Sequence, residues 1–385
     1  MKDKLCVPVA IQLRVDDVAW HFGDDERYKD RPSRSGIPRM HQPMDYRALH
    51  ELGKALNMKV NCSLVIGEWD KDNLLRGVPH VTWDPEGWDR ASQIDTAYCE
   101  ACREILDGSE YLNYTLHGLL HGYYDSGELV TEEQYYPRVY DAARGGWTKA
   151  WRRLSDDEFR RHLDLFFAIC RSWDFKKPVV SFASPNGNRG TPESNAGYAE
   201  ILKEYGIRSW HNGWRNFAGP AAVVRGVVCC KGWEIMPWNV FDADPDLLPV
   251  SENPRTDLCC HWPNFLHYNP EHNLERIPAW VRWFDRQSEV WGCMLSRDYA
   301  FGDSQAVYRQ YAQVSPTADG GLCVDLSGVD GTGALLLKNE FYVSTRNGHD
   351  PRILSGGTLE PWETKRDFRI WKIVRGGAPR VVLAF

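Results

Sequence analysis

Residues 7–18 read VPVAIQLRVDDV, and the interpretation of the whole chain starts from this stretch. It begins as an apolar run with β-branched residues, which is typical of a buried strand, and Pro8 stands where a strand tolerates a missing N–H. It ends in two adjacent carboxylates, Asp16 and Asp17. Two like charges so close are costly to bury unless a cation lies between them or one stays protonated. The alternative interpretation is a solvated Asp-Asp pair that simply ends a strand.

The composition narrows the class of protein. The 385 residues carry a net charge of −7, so no basic field favours a nucleic-acid partner. Seventeen Trp and seventeen Tyr weakly favour carbohydrate, because aromatic faces stack on sugars as well as filling cores. The sequence shows no signal-peptide pattern and no apolar run of the ~18 residues that a membrane span needs. Its eleven cysteines include adjacent pairs in strand-like surroundings, which suits reduced thiols, so we expect a cytoplasmic protein without a membrane partner.

The pattern of elements divides the chain into two parts. Strand and helix candidates alternate from the N-terminus to about residue 300, which predicts a parallel sheet covered by helices. From Gly321 to Phe385 there are only short strand candidates separated by Gly, Asn and Pro. We therefore expect one α/β domain over residues 1–312, for which a single large barrel fits the chain length, and a small all-β, sandwich-like domain over residues 313–385.

A second informative stretch is His117-Gly118-Leu119-Leu120-His121, which directly follows the strand candidate at residues 111–116. If a helical turn follows that strand, the two histidines project from one face, close enough to bind one ion. The spacing alone is a weak signal. Its position matters, however, because residues at the C-terminal ends of parallel barrel strands meet at one mouth. One carboxylate and two imidazoles make a three-ligand site with an open position for water, which is the arrangement of catalytic zinc.

The order of these motifs resembles a known family. Asp-Asp is followed by His-x-x-x-His, by a Pro-Gly loop and by a late strand that ends in His261. Over roughly residues 5–300 this order resembles the polysaccharide deacetylases of carbohydrate esterase family 4. The resemblance implies a distorted (β/α) barrel of the glycoside hydrolase/deacetylase type with a single divalent metal, usually zinc.

The resemblance also implies roles for individual residues. In the family's first motif, Thr-Phe-Asp-Asp-Gly, the first Asp is the general base and the second binds the metal. Asp16 is then the base, and Asp17, His117 and His121 are the metal ligands. Gly118 stands where the family has a hydroxyl residue.

The third motif of the family, Phe-Arg-Pro-Pro-Tyr-Gly, aligns with residues 182–187, FASPNG. The alignment implies substrate contacts from Pro185 and Asn186. An alanine, however, stands where the family has the Arg that tethers the base. Arg14 or Arg189 could take its place in space, and the sequence leaves both open.

The family's fifth motif supplies a His acid after a late strand. His261 fits this position, with Trp262 beside it as a substrate contact, and His267 is the rival. A hydrogen-bonded core histidine is the alternative interpretation of His261. The fourth motif, which holds a Trp and an Asp, has only loose candidates, namely Trp238 with Asp242 or Asp244.

The sequence therefore predicts a hydrolase that depends on zinc or another divalent metal and removes an N- or O-acetyl group from a carbohydrate. Asp16 would remove a proton from the metal-activated water, and protonated His261 would give one to the leaving group. One alternative is hydrolysis of another non-peptide C–N bond on the same fold. A second is a carbohydrate-binding protein that keeps the barrel and the metal but has lost turnover, which the missing Arg leaves open.

Overall fold

The computed structural model describes residues 4–22, 37, 39–148, 152–185, 187, 190–212, 218–253 and 255–385. The first elements are β1 (Leu5–Cys6), β2 (Val9–Val18), α1 (Pro43–Leu56), β3 (Val60–Leu64), α2 (Thr96–Gly108) and β4 (Leu112–Leu116). Short inserted strands follow, namely β5 (Gly122–Asp125), β6 (Glu128–Glu132), β7 (Tyr135–Tyr136), β8 (Tyr140–Asp141), β9 (Gly146–Trp147) and β10 (Arg152–Arg153).

The strand–helix alternation then resumes. Its elements are α3 (Asp156–Ser172), β11 (Val179–Ala183), α4 (Ala196–Glu204), β12 (Ser209–Asn212), β13 (Ala221–Val224), β14 (Val227–Glu234), β15 (Asp257–His261), α5 (Ile277–Ser288), β16 (Cys293–Leu295) and α6 (Tyr299–Tyr311). The C-terminal elements are β17 (Gln313–Pro316), β18 (Leu322–Asp325), α7 (Ser327–Asp330), β19 (Glu340–Arg346), β20 (Arg352–Ser355), β21 (Gly357–Thr364), β22 (Phe368–Arg375) and β23 (Arg380–Ala384).

Within the described residues, seven parallel strands close into a barrel in the order β2, β3, β4, β11, β12, β14 and β15, with β15 returning to β2. Parallel neighbours need crossover connections, and most of these are helices that cover the outside of the barrel. The predicted (β/α) barrel is therefore confirmed. Because the strands are parallel, their C-terminal ends gather at a single mouth.

The two faces of β2 show how the sequence fills this barrel. Ile11, Leu13 and Val15 belong to the hydrophobic cluster beneath the helices. Gln12 and Arg14 alternate with them and are also buried, but they contact polar groups on the inside of the barrel. The period of two thus gives one apolar and one polar face, and the polar face leads to Asp16 at the mouth.

The helices form for local reasons and then bury their apolar stripes. Helix α3 begins at a capping box in which Ser155 and Glu158 satisfy each other's backbone N–H groups. Its Phe159, Leu163 and Phe166 are buried in the same cluster as the strands. None of the helices in the described part of the chain is long and apolar enough to cross a membrane.

The C-terminal part is built from β-strands, as expected. In the described ranges, β17, β18, β23 and β20 form one four-stranded antiparallel sheet, and β1, β19, β22 and β21 form another. Strands of both sheets share a hydrophobic cluster with Ala306 and Val307 of α6 and with Leu5 of β1. The N-terminal strand thus pairs with the C-terminal part. The division at residues 312 and 313 stays a prediction.

Candidate metal centre

The end of β2 turns both carboxylates toward the same cleft. The pairing of β2 with β3 shifts register between Val15 and Val18, and Asp17 takes a left-handed backbone conformation with φ of 65°. An extra residue at a bulge redirects side chains that would otherwise alternate. Asp16 Oδ2 and Asp17 Oδ1 consequently lie 4.0 Å and 3.6 Å from the same atom, His117 Nε2. Left-handed conformations of residues other than glycine are uncommon and concentrate at functional sites.

The two histidines come from a loop. Residues 117–121, all of which the structure describes, contain no helical turn, so that expectation is wrong. Instead, left-handed conformations at Gly118 (φ 94°) and His121 (φ 63°) fold the chain back on itself. His117 Nδ1 donates to Ala183 O at 2.7 Å, at the end of β11. This bond fixes the tautomer, so that Nε2 is the ring nitrogen left to bind an ion.

Asp17, His117 and His121 bring three ligand atoms together, all within 4.8 Å of one another. Asp17 Oδ1 lies 3.6 Å from His117 Nε2 and 3.4 Å from His121 Nε2. Two ligands about 2.1 Å from a tetrahedral ion stand about 3.4 Å apart. Asp17 Oδ1 is buried and accepts no hydrogen bond from the described residues. Spacing, burial and donor set therefore fit a divalent ion with one carboxylate and two imidazole ligands.

Asp16 is held by Arg14, which lies two residues earlier on the same face of β2. An Nη of Arg14 pairs with Asp16 Oδ2, and its Nε donates to Asp257 Oδ2 at 3.0 Å. Burial opposes ionisation of Asp16, but the guanidinium outweighs it and holds the pKa of this carboxyl well below its usual range. Arg14 thus makes the contact for which the sequence offered two candidates. Arg189 lies outside the described residues.

His261 lies beside Asp16, its neighbour in the β15–β2 register. Ligand atoms of His261, Asp16 and Cys259 all lie within 4.8 Å of one another. His261 Nδ1 is 3.1 Å from Met236 O, and because a carbonyl only accepts, Nδ1 carries the hydrogen. His267, the rival, is 3.9 Å from Asp242 and accepts from the backbone N–H of Asn269. The structure therefore brings His261 to the candidate base.

The predicted substrate contacts differ in exposure. Trp238 is 43 % exposed and lies two residues after Met236, the partner of His261. Trp262 is completely buried, with its ring stacked on His41 at a centroid distance of 3.9 Å, and so offers no face to a substrate. Pro185 is buried, and Asn186 lies outside the described residues.

The aspartates considered with Trp238 have other partners. Asp242 forms a two-bond ion pair with Arg276, and Asp244 accepts the backbone N–H of Asp246 at the start of a short 3-10 helix. The first contact joins this stretch to the segment after β15, and the second is local. The structure therefore gives no support to a fourth motif built from these residues.

A buried network behind Arg14 was missed from the sequence. His211 lies between Asp257 and Asp303, at 3.5 Å from each. Burial alone would lower the pKa of His211, but the two carboxylates raise it to about 10. Asp257 is the first residue of β15, and a charged residue that begins a buried strand is the signal that the sequence offered.

The charges of this interior balance with one divalent ion when His117 and His121 are neutral. The carboxylates of Asp16, Asp17, Asp257 and Asp303 are all buried. Arg14 and protonated His211 supply two positive charges against these four negative ones. With His117 and His121 neutral, as metal ligands must be, the remainder of two negative charges matches one divalent ion.

Comparisons with known proteins do not assign this chain to a family. No family model matches the chain, and no curated protein matches it. Among solved structures, a protein from Parabacteroides distasonis described as a "putative glycoside hydrolase/deacetylase" is similar at 11 % identity and a TM-score of 0.40. The match covers 96 % of this chain and 85 % of that one. With a TM-score this low, the fold assignment rests on the strand order itself.

Proposed function

We propose that this protein is a metal-dependent hydrolase that removes an N- or O-acetyl group from a carbohydrate. The observation that carries the proposal is the convergence of Asp17, His117 and His121 at the barrel mouth, with Asp16 and His261 beside them. Three protein ligands leave a coordination position open, which distinguishes a catalytic site from a closed structural one.

Asp17, His117 and His121 would hold zinc or another divalent metal. When bound, it supplies a water of lowered pKa and polarises the acyl carbonyl. The protein contributes the position of the ligands and a buried, negatively charged setting. His117 is oriented by its bond to Ala183 O.

Asp16 acts as the general base through Oδ1. Its Oδ2 is already engaged by Arg14 and lies 3.2 Å from Cys259 Sγ, whereas Oδ1 accepts no hydrogen bond from the described residues. The free oxygen can therefore take a proton from the attacking water. Arg14 keeps the carboxylate ionised, because it holds the pKa of Asp16 well below its usual range against the opposing effect of burial.

His261 acts as the general acid through Nε2. The hydrogen on Nδ1 is committed to Met236 O, so the proton that moves is the one on the other ring nitrogen. Asn264 anchors this residue, since its Oδ1 accepts the His261 backbone N–H at 2.7 Å and its Nδ2 donates to Pro237 O at 3.0 Å. The same contacts tie the His261 strand end to the loop that carries Trp238.

A carbohydrate substrate is supported by the exposed aromatic side chains around this mouth. Trp238 and Phe241 follow β14 and are 43 % and 40 % exposed, and Tyr268, which follows β15, is 60 % exposed. Exposed aromatic faces at the C-terminal ends of barrel strands suit stacking on a sugar ring.

The alternative of a carbohydrate-binding protein without turnover loses its main support. It rested on the absence of the Arg that tethers the base, and Arg14 makes that contact from β2. Hydrolysis of another non-peptide C–N bond uses the same ligands, base and acid. Product analysis separates this alternative from deacetylation.

The test is acetate release from N-acetylated and O-acetylated oligosaccharides by the zinc-loaded protein. We expect release to stop after dialysis against a chelator and to return with zinc, and the matched Asp16→Asn variant to bind zinc but release little acetate. A released amine without acetate would indicate the other C–N hydrolase. Oligosaccharide binding by the zinc-loaded protein without any product would contradict the proposed hydrolase.

A further inference from the structure

Glu133 lies in the inserted segment between β4 and α3, at the turn between β6 and β7. Its side chain is only 1 % exposed and reaches back to the loop that carries the two histidines. Glu133 Oε2 accepts the backbone N–H groups of Leu119, Leu120 and His121 at 2.7, 3.2 and 3.0 Å. Successive N–H groups that converge on one oxygen form an anion-binding concavity, here filled by the protein's own carboxylate.

The carboxylate itself is held from other directions. His162 Nδ1, on α3, lies 3.0 Å from Glu133 Oε1. The neighbouring Gln134 O accepts the backbone N–H of Leu154 at 3.0 Å and the hydroxyl of Tyr198 at 2.8 Å. Glu133 is thus fixed in backbone and side chain, and it can impose its position on the loop.

The glycine of the histidine motif is part of this arrangement. Gly118 has a φ of 94°, and a Cβ built there would lie 2.4 Å from Glu133 Oε2. Any other residue at this position would displace the carboxylate or force the backbone into strain. The polysaccharide deacetylase family has a hydroxyl residue at the position of Gly118. A glycine there fits a loop whose backbone contacts Glu133.

We propose that Glu133 is a positioning residue that fixes residues 118–121 so that His121 presents Nε2 to the metal. The inference rests on the proposed function, in which His121 is a ligand. His121 holds an unfavourable left-handed φ of 63° directly beside the N–H that Glu133 accepts. Without that carboxylate the loop can relax, and the imidazole would turn away from Asp17.

The test compares zinc affinity in Glu133→Gln with that of the wild-type protein, by competition with a chromogenic chelator. Partners that orient metal ligands typically contribute about 10–100-fold in metal affinity, and we expect a loss in that range. The visible spectrum of the cobalt-loaded protein should also change, because it reports ligand geometry. Both readouts are taken on folded protein well below its melting temperature, so a loss of stability alone would not move them.

Glu68→Gln is the matched control. Glu68 is also a buried glutamate that accepts successive backbone N–H groups, those of His21 and Phe22, at 2.6 and 3.0 Å. We expect its zinc affinity and cobalt spectrum to match the wild type. If Glu133→Gln does not fold, Glu133→Asp decides by the same criterion, since the shorter carboxylate keeps the charge but cannot reach all three N–H groups.

Two outcomes separate this inference from the proposed function. If the wild-type protein binds zinc and the Glu133 variant binds it equally tightly with an unchanged cobalt spectrum, the positioning role is wrong and the metal site stands. If the wild-type protein binds no zinc, the proposed function fails and the role of Glu133 fails with it.

Discussion

Two clusters with similar side chains lie inside the described barrel and differ in how their polar atoms are satisfied. In the cluster of Asp17, His117 and His121, the ligand atoms face one another at 3.4 and 3.6 Å, and Asp17 Oδ1 accepts no hydrogen bond from the described residues. In the cluster of His211, Cys230 and Asp303, both oxygens of the Asp303 carboxylate accept hydrogen bonds from protein donors. Asp303 Oδ1 accepts from Gln12 Nε2 at 2.7 Å and from Cys230 Sγ at 3.1 Å, and Asp303 Oδ2 accepts from Ser209 Oγ.

The difference shows that residue type alone does not define a metal site. Histidine, aspartate and cysteine are all good zinc ligands, and both clusters are buried. What distinguishes the first cluster is that its atoms converge without protein donors between them. The second cluster is an ion network in which both oxygens of Asp303 are hydrogen-bonded, and it places a charge behind Arg14, because His211 also faces Asp257.

The largest expected effect is loss of metal from the first cluster. A His117→Ala/His121→Ala double variant should purify without stoichiometric zinc, and acetate release should fall by about 10³-fold or more, since the metal contributes several kcal/mol to the transition state. Metal content by atomic emission and acetate assays measure this. His211→Gln is the matched control and should keep its zinc. Zinc loss in His211→Gln with full occupancy in the double variant would reverse the comparison.

The next effect distinguishes the roles of the two adjacent carboxylates, Asp16 and Asp17. Asp17→Asn removes an anionic ligand, so zinc affinity should fall, and excess zinc should restore part of the activity. Asp16→Asn leaves all three ligands in place, so zinc should stay bound while kcat falls by on the order of 10²–10⁴, the usual share of a general base. Metal analysis and steady-state kinetics of both variants measure this. If Asp16→Asn loses its zinc while Asp17→Asn keeps zinc and activity, the two roles are exchanged.

The link between the two clusters should appear in stability. Arg14→Gln leaves Asp16 and Asp257 buried without their shared cation, which should lower the free energy of unfolding by about 3–5 kcal/mol. Urea unfolding followed by circular dichroism measures it. Arg160→Gln breaks the exposed pair with Glu204 and serves as the control, with a much smaller expected shift in the urea midpoint. Equal shifts of the urea midpoint in both variants would mean that the buried ion pairs contribute no more to stability than the exposed one.

The last effect concerns the slope of stability with pH. Burial alone would lower the pKa of His211, but Asp303 and Asp257 raise it to about 10 from an ordinary value near 6.5. Between these pH values the folded state binds more protons than the unfolded state, so the stability that His211 contributes is complete below about pH 6.5 and is lost as pH rises toward 10.

Urea unfolding at pH values from 6 to 9.5 tests this coupling. The contribution of His211 to the slope is at most about 1.4 kcal/mol per pH unit. His211→Gln should show a shallower fall of unfolding free energy with pH than the wild type. Identical slopes would show that His211 is neutral in the folded protein.

Much of the fold and part of the candidate site could be predicted from local patterns. The alternation of strand and helix predicted a parallel sheet, and the family resemblance implied the barrel. The position of charged residues at strand ends predicted that Asp16, Asp17, His117 and His121 meet. The loop after β4 was the exception, because left-handed residues at positions 118 and 121 replace the expected helical turn. No periodicity in the sequence predicts such a conformation, and the carboxylate that accepts the His121 backbone N–H belongs to Glu133 in a later turn.

The sequence by itself determined which chemical groups end the barrel strands, because strand periodicity and strand ends are local properties of the chain. Only the tertiary structure decided which of those groups have partners. Arg14 meets Asp257 across 243 positions, and Trp262 is buried against His41 although its neighbour His261 faces the site. Such contacts depend on how a closed barrel brings distant strands into register. The order of residues within one strand does not determine that register.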